Sequence, residues 1–116
     1  MRGKVPFRPP RSPRYHTCAM CRYHRRQRMA THWHHLIGRQ RLHRYVGEQS
    51  LLPVEAFALE RRLTHDERNL MALCKSCHID RHGGLEAVIP RAALPEDAWE
   101  FARELGLEHV LERRYV

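Results

Sequence analysis

Two Cys-x-x-Cys pairs, Cys18/Cys21 and Cys74/Cys77, stand 52 residues apart in a chain of 116. No other feature restricts the fold as strongly. Thiolates at this spacing close a tetrahedral zinc site when two pairs meet, and their meeting forces the intervening chain to leave one point and return to it. Either pair alone would read equally as a redox dithiol; two pairs point to one shared structural zinc. A domain of this length buries only a modest core, and its large apolar residues are more frequent in the second half. A metal is the expected staple for the first.

Charge is divided the same way. Residues 1–50 carry twelve Lys/Arg against a single acid, Glu48, whereas residues 51–116 carry nine against twelve. A half-molecule this basic is an electrostatic footprint for a polyphosphate partner. Nineteen of the 21 cations are arginine, whose planar fork suits phosphate. Nowhere is there an apolar run long enough to cross a membrane, and the N-terminus lacks the apolar stretch of a secretory signal. The expected setting is a reducing cytoplasm, where paired cysteines hold zinc rather than disulfides.

Along the chain, Met1–Arg14 has four prolines and five cations and reads as a flexible basic arm. A tight loop is expected at the first knuckle, followed by the cationic run Arg25, Arg26 and Arg28. Met29–Ile37 (MATHWHHLI) predicts a strand closed by Gly38, and Gly38–Gly47 a basic loop. Pro53–Leu63 predicts a helix capped by Ser50, with Leu52, Ala56, Leu59 and Leu63 on one face. Asn69–Leu73 (NLMAL) predicts a short strand that delivers the second knuckle, and Ser76–His82 a helix stopped by Gly83-Gly84. Leu94–Val116 predicts one or two helices divided at Gly106, with Ala98, Phe101, Ala102 and Leu105 on a shared face. This acidic segment is assigned to packing or to a protein partner.

The histidines outnumber what one zinc can use. His78 and His82 are four residues apart, so a helix stacks their imidazoles on one face, a two-ligand metal clamp. His34 and His35 are neighbours, and on an ideal strand they face opposite sides; both reach one phosphate only where the strand bulges or ends. One imidazole would then join His78 and His82 on a metal, and the other would take a proton from an attacking water. The plainer alternative makes Trp33 and Leu36 core residues that the histidines merely flank. His16, His24, His43, His65 and His109 read as surface residues. His32 shares the strand face of His34 and is the alternative ligand.

HWHHLIGR followed by RNLMALCKSCHIDRHGG resembles the HNH endonucleases over about Tyr15–Gly84. The resemblance implies a small α+β fold with a ββα-metal, treble-clef-like core held by a four-cysteine zinc site. The chain is expected to divide into three parts: the arm over 1–14, the nuclease core over 15–84 that carries the resemblance, and an unmatched helical C-terminal extension over 85–116 that packs on the core. It also implies His35 as general base and His34, His78 and His82 as ligands of a catalytic divalent metal, whether Mg, Mn, Ni or Zn. Asn69 takes the family's middle position, where it either ligates the metal or braces the loop that holds the base. The implied activity is hydrolysis of DNA phosphodiester bonds, one strand nicked per site, by a bacterial or phage-encoded cytoplasmic enzyme. Arg39 is the candidate phosphate clamp, with Arg25, Arg26, Arg28 and Arg41 as further DNA contacts. The alternative of a different class is a catalytically silent, zinc-stabilised DNA-binding module, or an accessory of a larger nucleic-acid machine.

Overall fold

The computed structural model describes residues 15–82 and 89–115, without the side chains of residues 79–82. The expected basic arm and the helix stop at Gly83-Gly84 lie outside the described residues. At the centre are two short antiparallel strands, β1 (His32–His35) and β2 (Leu70–Leu73). Their register is regular: His32 faces Leu73, Trp33 faces Ala72, His34 faces Met71 and His35 faces Leu70. β1 is shorter than the expected Met29–Ile37, because Met29 makes only an isolated bridge to Thr17. Every residue of β2 is buried, which is why its sequence is a continuous apolar run rather than an alternating one.

Six α-helices among the described residues surround this sheet: α1 (Ala19–Tyr23), α2 (Arg39–Gly47), α3 (Pro53–Thr64), α4 (Lys75–His82), α5 (Glu96–Leu105) and α6 (Glu108–Arg114). α2 corrects the expected basic loop. Leu42 and Val46, four residues apart, are buried on one side of it while Gln40, His43 and Arg44 remain exposed. Its density of arginine hid a short amphipathic stripe. α3 begins at the expected Pro53, yet its cap is Leu52 and not Ser50. The Glu55 carboxylate turns back to accept the Leu52 N–H at 3.1 Å, the acceptor half of a capping box, while Ser50 sits at φ +52 in the preceding turn. Leu63 is buried, but Leu52 is 66% exposed and lies off the packed face.

Glu96 and Asp97 occupy the first turn of α5, where carboxylates meet the positive end of the helix. Gly106 ends it at φ +69, a left-handed conformation that suits glycine. Ala98, Phe101 and Ala102 are buried. They share one cluster with Leu36, Ile37, Leu42, Leu111 and Tyr115, so the C-terminal helices and the segment that follows β1 are parts of a single core. Among the described residues, no helix is long and apolar enough to cross a membrane.

Candidate metal centre and histidine cluster

The two knuckles meet. The sulfur atoms of Cys18, Cys21, Cys74 and Cys77 all lie within 4.8 Å of one another. Cys21 Sγ is 3.8 Å from both Cys74 Sγ and Cys77 Sγ. A tetrahedral zinc with Zn–S bonds of about 2.3 Å sets its sulfurs about 3.8 Å apart, so the cluster already has the edge length such an ion requires. The first knuckle forms a short helix rather than the expected loop. Cys18 caps α1, and its sulfur accepts the Cys21 N–H at 3.4 Å. Cys18 N–H donates to the Arg28 carbonyl at 2.8 Å, which ties the cationic run back to the knuckle.

The four thiols shift one another's protonation. Burial, together with the neighbouring thiols, pushes Cys21 and Cys77 up. At Cys74 burial also pushes upward, but the Cys77 amide and the three surrounding thiols outweigh it and bring the group down to about 7. One thiolate therefore forms readily near neutral pH, and a divalent ion bound there would compensate the charge of the others. The residues present fit structural zinc.

The histidines are distributed more widely than expected. Because β1 runs in regular register through His35, the pleat sends His32 and His34 to one face and Trp33 and His35 to the other. His34 is 2% exposed, and its Nε2 lies 2.8 Å from the Tyr115 hydroxyl, a partner 81 residues away with no local sequence signal. The Tyr115 hydroxyl donates in turn to the Leu36 carbonyl at 3.0 Å, so His34 Nε2–H is the donor to Tyr115. His34 Nε2 is thus engaged in the core, and its ring packs against Tyr115 just after α6.

His35 has a different environment. It is half-buried, and its Nε2 lies 3.1 Å from the Thr64 carbonyl at the end of α3. A carbonyl only accepts, so Nε2 carries the proton and the lone pair is on Nδ1. Burial lowers the pKa of this imidazole below its ordinary value. The Thr64 bond opposes that shift, and the charges of Arg39, His65 and Arg114 add to it. Immediately after His35 the backbone is braced by Asn69, which is 1% exposed. Asn69 Oδ1 accepts the Ile37 N–H at 2.7 Å, and Nδ2 donates to the Ile37 carbonyl at 3.0 Å. Of the two roles open to Asn69 in the sequence, the structure has the brace: both ends of its amide are engaged by the chain.

On the other face, the rings of His32 and His78 stack with centroids 4.6 Å apart and planes 20° from parallel. α4 starts just after Cys74, and His78 N–H donates to the Cys74 carbonyl at 3.0 Å, so the cysteine cluster fixes where His78 stands. The His82 side chain lies outside the described residues. Among those described, the four cysteines are the one group of three or more His, Cys, Asp or Glu ligand atoms gathered this closely. His34, His35 and His78 do not converge.

Arg25, Arg26 and Arg28 are all exposed, within a stretch from Arg22 to Met29 that is exposed throughout. Arg25 adopts φ +59, which folds the run into a compact loop over the knuckle. Arg39 and Arg41 on α2 are partly buried. Arg41 Nη1 is a buried donor with no hydrogen-bond partner among the described residues. Comparison with protein-family models, with curated proteins and with solved structures returns no match.

Proposed function

We propose that the chain is a metal-dependent endonuclease of the HNH type that hydrolyses DNA phosphodiester bonds, nicking one strand per site, with His35 as general base. The observation that carries this is the state of His35. Its Nε2 proton is committed to Thr64, its Nδ1 holds the lone pair, and its depressed pKa keeps the ring neutral at physiological pH. A fixed, neutral imidazole is what proton removal from an attacking water requires. The order β1, β2, α4 with the cysteine cluster at the strand-to-helix junction, and Asn69 behind the base, are consistent with a ββα-metal core.

On this reading His78 and the adjacent His32 would hold the catalytic ion, the His34 ring being turned toward Tyr115. Bound there, a divalent cation would neutralise charge on the scissile phosphate. Imidazole donors favour Mn, Ni or Zn over Mg, which prefers oxygen. The exposed arginines Arg25, Arg26 and Arg28, with Arg39 and Arg41 nearer β1, would hold the backbone phosphates without reading sequence. The acidic α5–α6 segment is the surface offered to a protein partner.

The test is relaxation of supercoiled plasmid by the wild type and by His35→Ala across Mg, Mn, Ni, Zn and EDTA. Metal-dependent nicking that disappears in a folded, zinc-loaded His35→Ala protein is the expected result. A second reading is favoured by one observation, that His35 and the His32–His78 pair project from opposite pleats of β1. On that reading the chain is a zinc-stabilised DNA-binding module without catalysis. DNA binding retained with no nicking under any metal would establish it.

A further inference from the structure

Two backbone residues follow His35, and their polar groups are held from two directions. From the β2 side, Asn69 Oδ1 accepts from Ile37 N–H, Asn69 Nδ2 donates to the Ile37 carbonyl, and the Asn69 carbonyl accepts from Leu36 N–H at 2.9 Å. From the α6 side, the Leu36 carbonyl accepts twice, from Arg114 Nη1 at 3.0 Å and from the Tyr115 hydroxyl at 3.0 Å. The same guanidinium lies over Gly38, where an added Cβ would meet Arg114 Nη1 at 3.3 Å. Glycine at this corner leaves room for the cation.

The residues that reach in are themselves fixed. Tyr115 is fully buried, and its N–H donates to the Leu111 carbonyl at 3.0 Å. Arg91 bonds the Tyr115 carbonyl through Nε at 3.3 Å and the Glu112 carbonyl through Nη2 at 2.7 Å, capping the end of α6. A carbonyl that accepts from a guanidinium and a phenol at once is held more firmly than packing alone requires. The segment held in this way follows directly on His35.

We propose that Arg114 and Tyr115 are positioning residues of the His35 site, a clasp from α6 that fixes the Leu36–Gly38 corner and thereby aims the His35 ring. This rests on the reading of His35 as the base. The C-terminal helices then form one wall of the working site as well as filling the core. The clasp acts without touching substrate: it limits how far β1 can shift against the Thr64 carbonyl that holds the ring.

The test uses the full, zinc-loaded chain with Tyr115→Phe, which deletes one hydroxyl and keeps the ring, and with Arg114→Gln and Arg114→Lys. The first readout is the His35 ring tautomer from long-range proton–nitrogen correlation. A single Nε2–H form is expected in the wild type and in Arg114→Lys, and averaging of the two tautomers in Tyr115→Phe and Arg114→Gln. The second is plasmid nicking, where these two variants should lose about tenfold to a hundredfold in kcat with KM little changed, as a misaimed group does. A merely structural role would lower the melting temperature and leave the tautomer and the kcat of the folded fraction intact. That pattern in both variants overturns the clasp. Should Tyr115→Phe fail to fold, Arg114→Gln at its partly exposed position decides. Should the wild type fail to nick, the endonuclease reading falls, while the tautomer still tests the clasp.

Discussion

Replacing Asn69 by alanine should be among the most damaging single substitutions outside the cysteines, and the structure sets its size. Asn69 is 1% exposed and Ile37 is fully buried. The amide bonds both the N–H and the carbonyl of Ile37, at 2.7 and 3.0 Å. Alanine leaves these two backbone groups buried and unpaired, and each costs about 1–3 kcal/mol. The sum, about 2–6 kcal/mol, compares with a total of about 5–15 kcal/mol for an ordinary domain. Asn69→Asp separates the two bonds. Its carboxylate still accepts from Ile37 N–H but opposes the Ile37 carbonyl, and burial raises its pKa above the unfolded value of about 3.9. Only the protonated form can donate to that carbonyl. The stabilisation it restores is therefore fully present below the unfolded pKa and lost as pH rises through the raised folded pKa. Urea unfolding of zinc-loaded protein, followed by tryptophan fluorescence, measures both. The alanine variant should unfold at a much lower midpoint with an unchanged slope, and the aspartate deficit should narrow as pH falls from about 7 toward about 5. An alanine variant within about 0.5 kcal/mol of wild type, the range of an ordinary surface substitution, would refute the brace.

Zinc removal by a strong chelator, or Cys74→Ser, should unfold the chain, since a four-cysteine site contributes about 10 kcal/mol or more of folding energy; a zinc-free protein with a cooperative melt would contradict this. The His35 ring should titrate with a midpoint below its ordinary value of about 6.5, because burial and the Arg39, His65 and Arg114 charges all act in that direction. Its neutral-form stabilisation is complete above that ordinary value and is lost as pH falls below it; an NMR midpoint at or above about 6.5 would reject the assignment. His34→Leu should cost about 1–3 kcal/mol through the lost Tyr115 bond and leave divalent-metal binding unchanged, whereas lost metal binding in calorimetry would restore His34 as a ligand. Replacing Arg25, Arg26 and Arg28 together by alanine should flatten the salt dependence of DNA binding by about 0.9 in log–log slope for each phosphate contact removed; an unchanged slope would place the DNA elsewhere.

Legibility in the sequence followed the range of the interactions. The cysteine cluster could be read because two identical short motifs announce a shared ligand. β2 and α3 could be read because apolar spacing and proline are local signals. α2 could not, because its stripe of Leu42 and Val46 is two residues long and lies among arginines. The site divided in the same way. The Asn69 brace was one of two roles foreseen from its place before the strand. The separation of His34 from His35 was open in the sequence, since neighbours on a strand part only if the register stays regular, and register is set by the whole pair of strands. Tyr115 and Arg114 gave no signal, because a contact across about eighty residues leaves no spacing to read. His32 had one weak sign, its shared face with His34. The stacking of His78 against it depends on where the zinc knuckle places α4.

The two strands are not joined by a turn. Residues 36–69, carrying α2 and α3, leave the sheet after β1 and return before β2, while the cluster of Cys18, Cys21, Cys74 and Cys77 gathers the chain beside it. Closure entropy grows only logarithmically with loop length, about 0.6 kcal/mol per doubling. An excursion anchored in this way can be lengthened or exchanged at little thermodynamic cost, provided that Gly38 and Asn69 keep their places at its two ends. Val54 and Phe57, which are 75% and 67% exposed, sit on its outer helix. The architecture thus separates a footing, the cysteine cluster and the two strands, from an excursion whose length and outer surface can change without moving it.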